Sequence, residues 1–493
     1  MYQSQELYIT EREKRIVENV RNIKIHLTVR SDRKSEMERH MIKKMKDEML
    51  SHLNEDIVTF WTGLMDREYG GFYGLLTYDL RLDKKAVKGG ILNSRILCFF
   101  SNLILLERGK NAKSAKCAAD INADAEGKKE NRNPEIEKAC RQAYDFLKKS
   151  FLDKENGGVY WSVEYDGEPA DETKHTYNQA FAIYALASYF DASGNKEAMR
   201  LAYELRRIVE DKCRDKEGYL EAFTADFRPA GNEKLSENGV EAHRTMNTLL
   251  HVYEAYTEYL RVIKAELNHI KNVDPAQDTD RQEKESMVMT YGFDLVAEKE
   301  AVENDIRFIL DIIADKIYNP VLKRQEVFFD KDYNSLIDLH SYGHDIETSW
   351  LVDRGLDILD DKAYTEKIRP INSTLAEKIY ERAYVDHSLL NECEKGVDDT
   401  TRVWWVQAEA VLGFMNAASK RRAEGDEEGA KRYEAAAVDV WEYIKDKLID
   451  KRPGSEWFSQ VDKDGNPDPA RDIVEPWKCP YHNGRMCIYL QMM

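Results

Sequence analysis

Proline is scarce, 11 in 493 residues, and strand-like alternation is rare along the chain, which leaves little room for an all-β fold. Cysteine is sparse too. The seven (Cys98, Cys117, Cys140, Cys213, Cys393, Cys479 and Cys487) are odd in number, scattered and never spaced as a CxxC pair, so neither a disulfide framework nor a zinc knuckle is implied. Positive charge is in deficit: 73 Lys and Arg against 91 Asp and Glu give a net −18, which repels nucleic acid phosphates and anionic membranes. No window approaches the ~20 apolar residues that span a bilayer, and the opening MYQSQELYITEREKRIVENVRN has no apolar core behind basic residues. These absences predict a cytoplasmic protein that binds neither nucleic acid nor membrane and takes a neutral or zwitterionic small molecule.

What is present is helical periodicity. In Arg244–Ile263, Met246, Leu249, Leu250, Tyr253, Tyr256 and Leu260 recur at three- and four-residue steps, with Glu258 and Arg261 facing elsewhere. Gln179–Phe190 and Val403–Met415 differ, being apolar or small on almost every face, as expected of helices buried between layers. Inner and outer helices are thus expected. A turn pattern recurs between helical stretches, at Asp66–Gly74, Asp153–Trp161, Asp215–Phe223 and more weakly from Asp330. Each begins as a turn and ends in β-favouring residues, which suggests helical hairpins joined by turns carrying short strands and arranged as a toroid. Residues 1–36 read as a charged extension, Gly109–Glu135 and Glu266–Glu300 as insertions, and 37–493 as one catalytic domain.

The eleven histidines separate by their neighbours. His26, His40 and His52 read as surface residues, and His175, His243, His269 and His387 as loop residues beside charges. The segment HSYGHDIETSWL is different: on a helix, His340, His344 and Glu347 share a face. A carboxylate held beside His344 would fix its tautomer and raise its pKa towards neutrality, which suits acid/base work. A divalent-metal site and a structural histidine are the competing readings.

EPWKCPYHNGRMC sets Trp477, His482 and Arg485 in a Pro-, Gly- and Asn-containing stretch that cannot be helical throughout. Indole faces at Trp404, Trp405 and Trp477 suit the C–H face of a pyranose, while His, Arg and Asn suit its hydroxyls. Each Trp taken alone reads equally as core. MNTLLHVYEAY places Asn247 and His251 on one helical face, a polar pair that needs partners. Arg95, within the apolar ILNSRILCFF, needs an acidic partner or a polar ligand.

These segments, in this order, resemble the N-acylglucosamine 2-epimerase family, and most closely its branch that epimerises cellobiose. The resemblance runs from about Glu36 to the C-terminus through GGFYG, KGGILNSRILCFFS, TYNQAFAIYAL, MNTLLHVYEAYT, YGHDIETSWL, RVWWVQAEAVLGF and EPWKCPYHNGRMC. It implies an all-α (α/α)6 barrel with the site where the loops and inner-helix termini converge. His344 and His482 match the family's paired acid/base histidines, and Glu347 the carboxylate partnered with the first. Arg95, Asn247 and His251 match residues that hold the reacting end of the sugar. Trp477 and one of Trp404 or Trp405 match its aromatic platforms, and Tyr177 is expected to line the pocket. One departure is MNTLLH where relatives often read MNTHLH, so Leu249 stands in place of a histidine while His251 is kept.

The reaction so implied opens a reducing glucose, removes the C2 proton beside the C1 aldehyde and returns a proton to the opposite face, which two histidines, one neutral and one protonated, can do. It requires no cofactor and no metal. The implied partner is a neutral disaccharide, and the chain is expected to be a monomer or weak homodimer. Mannose isomerisation and N-acylglucosamine epimerisation are alternatives within the same chemistry. A glycoside hydrolase on the same fold, working with two carboxylates, and a non-catalytic sugar-binding module stand further off.

Overall fold

The computed structural model describes residues 37–119, 133–232, 238–273 and 289–493. Among these residues, twelve long helices alternate between an outer and an inner ring. The outer ones are α1 (37–52), α3 (Pro134–Phe146), α5 (Lys196–Ile208), α7 (Leu295–Ile312), α9 (Lys362–Arg382) and α11 (Glu427–Tyr443). The inner ones are α2 (Gly90–Ala119), α4 (Thr176–Ser193), α6 (Met246–Val273), α8 (Tyr342–Leu359), α10 (Trp404–Ala423) and α12 (His482–Met492). Each inner helix packs on the next, and α12 returns to α2 to close an (α/α)6 barrel.

The two rings begin differently. Outer helices cap themselves: Asn133, Asn195, Asp294, Asp361 and Asp426 each accept backbone N–H groups of the following turn. Inner helices instead donate their first N–H to a neighbouring loop, Gly90 to Trp161 O, Thr176 to Glu221 O, Met246 to Val327 O and Trp404 to Ser459 O. Short strands precede them and pair with the same loops, such as Lys174–His175 with Ala222–Phe223 and Arg402–Val403 with Gln460–Val461. Inner-helix N-termini are thereby stitched into one end of the barrel.

The recurring turn has a structural reason. Asp66, Asp153 and Asp215 each accept two backbone N–H groups of their own turn through Oδ1. Their Oδ2 atoms take Lys88 at 2.6 Å, Lys174 at 2.8 Å and Arg244 at 2.6 Å, cations two residues ahead of the next inner helix. The fourth member departs from this pattern. Asp330 closes a hairpin by accepting from Asp332 and Asn334, as Asp462 does from Asp464 and Asn466, and belongs to a second class of turn.

Several expectations change. Arg244–Ile263 reads as an amphipathic outer helix but forms the inner helix α6, with Glu258 buried between Arg261 and Arg354. Gly90–Gly109 is long and apolar enough to cross a bilayer, yet 83 % of its most apolar window is buried within the barrel. Gly109–Ala119 continues α2, Glu266–Val273 continues α6, and α7 opens at Leu295, so those parts of the expected insertions are helix. Residues 1–36, with His26, lie outside the described residues. His52 is buried, accepting from Trp457 Nε1 at 2.8 Å. His175 is buried against Trp161.

Candidate active site

A void of about 870 Å³ lies at the C-terminal ends of the inner helices, but its charges pair among themselves: Glu258 with Arg261 and Arg354, and Lys420 with Asp357. The opposite end is different, because there the inner helices bring Arg95, Tyr177, His251, His344, Trp405 and His482 together.

Arg95, on the second turn of α2, does not meet a carboxylate. Its guanidinium lies between the rings of Phe181 (4.2 Å) and Tyr481 (4.5 Å) and donates to Tyr177 Oη at 2.7 Å and Trp477 O at 3.3 Å. Its Nε is buried without a hydrogen-bond partner, a donor left over for a ligand. Tyr177 in turn packs edge-on against His251, ring centres 5.0 Å apart.

Arg485, on the first turn of α12, gathers three buried carboxylates from three inner helices. It reaches Glu254 Oε1 at 2.5 Å, Glu347 Oε1 at 2.8 Å and Glu409 Oε1 at 2.7 Å. Two of these carboxylates hold histidines: His251 Nδ1 lies 2.8 Å from Glu254, and His482 Nδ1 lies 2.6 Å from Glu409. Trp350 Nε1 donates to the other oxygen of Glu409 at 2.8 Å. Burial opposes ionisation of Glu254, but Arg485 and His251 hold its pKa down to about 2. Burial, with the neighbouring Glu409, pushes the Glu347 carboxyl up.

His344 corrects the sequence reading. Its Nδ1 contacts Ser341 Oγ at 2.7 Å, not Glu347, and Ser341 stands at the N-terminus of α8 with its hydroxyl turned to the imidazole instead of capping the helix. His340 is no helical neighbour either: it sits on the strand Leu339–Ser341 and pairs with Asp345. Nor do the histidines titrate near neutrality. Burial, aided by the charge of His251, drops His344 to about 3, and burial with Arg95 and Arg485 holds His482 well below its ordinary value. Burial likewise lowers His251 despite Glu254. Burial thus favours the neutral form of all three rings, and each uses Nδ1 for its protein hydrogen bond.

Trp405 touches both histidines, ring centres 4.8 Å from His344 and 5.5 Å from His482. Trp404 is buried edge-on to His482 under Lys478. Trp477 lies on the loop before α12, half-buried between Tyr177 and Trp161. Asn247 does not bond His251; its Oδ1 is buried and unpaired. Leu249 is buried core. One ligating atom each from Glu347, Glu409 and His482 lie within 4.8 Å of one another, spacing that suits a metal. Arg485 Nη2 already donates to both carboxylates, however, so a guanidinium holds the cation position.

The sequence matches the N-acylglucosamine 2-epimerase (GlcNAc 2-epimerase) family over residues 125–261 and 293–484. It is 46 % identical over 446 residues to a cellobiose 2-epimerase of Eubacterium cellulosolvens, covering 90 % of this chain and 98 % of that one. The chain belongs to the N-acylglucosamine 2-epimerase family. Solved structures of the family superpose on this member. A sugar epimerase from a ruminal bacterium gives a TM-score of 0.75 at 41 % identity, covering 91 % of this chain and 99 % of that one. Cellobiose 2-epimerase of Bacillus thermoamylovorans gives 0.75 at 35 %, covering 92 % and 100 %.

In this epimerase-family chain, sequence reasoning missed Glu254, Ser341, Glu409 and Tyr481. Glu409 had a signal. It is a carboxylate within the largely apolar VWWVQAEAVLGF, and the demand for a partner that singles out Arg95 applies to it equally. Glu254 follows His251 by three residues on α6 and was legible the same way. Ser341 and Tyr481 carry no such mark.

Proposed function

We propose that this protein catalyses the reversible C2 epimerisation of the reducing-end glucose of a β-1,4-linked disaccharide, cellobiose to glucosyl-mannose, with His344 and His482 as its two acid/base groups. The observation that carries the proposal is that both imidazoles abut one half-buried indole, Trp405, with Nδ1 engaged in each. A sugar seated on that indole has an Nε2 on either side. The cellobiose 2-epimerase relatives support the choice of substrate.

Ring opening exposes the C1 aldehyde and makes the C2 proton acidic. One neutral imidazole takes that proton through Nε2, and the electron pair left behind forms the cis-enediolate with its charge on O1. Arg95 is the donor that stabilises O1, while His251, whose Nδ1–H goes to Glu254, offers Nε2 as an acceptor for a hydroxyl at the reacting end. Negative charge on O1 raises the proton affinity of the second imidazole, so a ring that is neutral in the empty site takes a proton from solvent and delivers it to the opposite face of C2, and the first imidazolium returns the abstracted proton to solvent. Glu409 fixes the Nδ1–H tautomer of His482, which leaves the Nε2 lone pair to act as the base. Trp405 and Trp477 serve as the sugar platforms, Asn247 and Tyr177 line the pocket, and Glu347 shapes the charge around His482 through Arg485.

A hydrolase is disfavoured by the same geometry. Glu254, Glu347 and Glu409 converge on one guanidinium instead of facing each other across a substrate gap. The test is turnover in heavy water with cellobiose, lactose, mannose and N-acetylmannosamine supplied separately. Glucosyl-mannose carrying deuterium at C2 is expected. Turnover of only the last two, or release of glucose from cellobiose, sinks the proposal.

A further inference from the structure

A line of rings leads outward from the proposed catalytic centre. His251 and Tyr177 are 5.0 Å apart between ring centres, Tyr177 and Trp477 5.7 Å, Trp477 and Trp161 5.6 Å, and Trp161 and His175 4.3 Å. The first pair belongs to the reducing end and Trp477 is the platform beyond it. Trp161 comes next and has no role in the reaction derived above. In the sequence it is only the last residue of a structural turn.

Its setting is unlike that of a core tryptophan. Trp61, Trp350, Trp441 and Trp457 are fully buried, whereas Trp161 and Trp477 are both partly exposed. Trp161 is also held rigidly: its N–H donates to Asp171 O at 3.0 Å, and its carbonyl accepts Gly90 N at 2.8 Å, the first N–H of the helix that carries Arg95. The buried His175 ring packs against it. The indoles of Trp161 and Trp477 meet at 65°, and two planes at that angle form a corner. A pyranose whose C–H face lies on one indole presents its edge to the other, and a preorganised aromatic wall contributes affinity at little entropic cost.

We infer that Trp161 is a specificity-determining residue that walls the subsite of the non-reducing glucose, so that this chain selects a disaccharide over a monosaccharide through the Trp161–Trp477 corner. The inference rests on the epimerase reading for the position of the reducing end. It concerns binding, so it is tested apart from turnover.

The probe is cellobiitol, whose reduced end cannot react but whose non-reducing ring is intact, with glucitol as the control. Both are titrated calorimetrically into the wild type, Trp161→Ala and Trp161→Phe, alongside KM and kcat for cellobiose. Losing one aromatic wall should weaken cellobiitol about tenfold in Trp161→Ala, leave glucitol unchanged, and raise KM for cellobiose with kcat held within about twofold. Unchanged cellobiitol affinity in a folded Trp161→Ala, or an equal loss for glucitol, overturns the inference. Trp161→Phe, which keeps a ring against His175, covers the case in which the alanine variant does not fold. A roughly threefold weakening is then expected, and none overturns it. A wild type that binds cellobiitol yet does not epimerise cellobiose would sink the epimerase reading while leaving the subsite standing.

Discussion

His482 Nδ1 lies 2.6 Å from Oε1 of Glu409, 73 residues earlier in the chain, and that carboxylate is fully buried. The pair fixes the ring so that Nδ1 donates, which in the proposed reaction makes Nε2 the base. Glu409→Gln keeps the shape but removes the charge and lets the amide present either donor or acceptor to the ring. General acid/base catalysis is worth about 10²–10⁴-fold, so kcat should fall by at least about 10² while KM moves little. Steady-state kinetics on cellobiose check this; a loss confined to KM would assign Glu409 to binding.

Ser341 gives His344 a weaker tether. A neutral hydroxyl–imidazole bond contributes about 1 kcal/mol, close to a factor of five. Ser341→Ala should therefore lower kcat about fivefold and leave the melting temperature near its wild-type value. Ser341→Thr keeps the hydroxyl and should restore most of the rate.

These two tethers mark where the sequence stops being informative. Gln179–Phe190 and Val403–Met415 were legible as inner helices because a segment buried on every side has no polar face to spare. Arg244–Ile263 misled because Glu258 and Arg261 turn to the cavity at the far end, giving an inner helix an amphipathic look. The spacing of His344 and Glu347 placed both on one face but could not tell what else reaches that face. Glu347 pairs with Arg485, 138 residues on, and Ser341 takes the imidazole because it ends the strand that feeds α8. Local spacing reveals shared faces, whereas partners brought by ring closure are set by the whole barrel.

The direction of the histidine shifts fixes the pH profile. Burial lowers His344 to about 3 and holds His251 and His482 below their ordinary values, which keeps the two proposed acid/base rings unprotonated into mildly acidic pH. kcat/KM, which reports the free enzyme, should stay level down through pH 6.5 and fall only below it. A salt-bridged His344 with a raised pKa would put that limb at or above neutrality. Stability carries the same sign. The unfolded chain binds protons at these rings near pH 6.5 and the native one does not, so they make the melting temperature fall as pH drops below that value. Glu347 acts oppositely: its raised pKa means stability from its proton is lost as pH rises.

The turn aspartates supply the last prediction. Asp153 and Lys174 are both essentially inaccessible and 2.8 Å apart. Burial opposes ionisation of Asp153, yet Lys174 and the N–H groups of Glu155 and Asn156 hold its pKa far below the ordinary value. Lys174→Met keeps the aliphatic stem and removes the ammonium, leaving a carboxylate buried without its cation. Breaking such a pair from one side costs about 3–5 kcal/mol, read as a drop in the urea midpoint. The pH dependence separates this from lost packing. In the wild type the contribution of Asp153 is present above its unfolded pKa of about 3.9 and is lost as pH falls through the acid range. The gap between wild type and Lys174→Met should therefore narrow on acidification. Replacing both partners, as Asp153→Leu with Lys174→Met, removes the uncompensated charge and should recover part of the stability. A double variant no more stable than the single one would mean that the turn depends on the Oδ1 bonds to its own backbone more than on the ion pair.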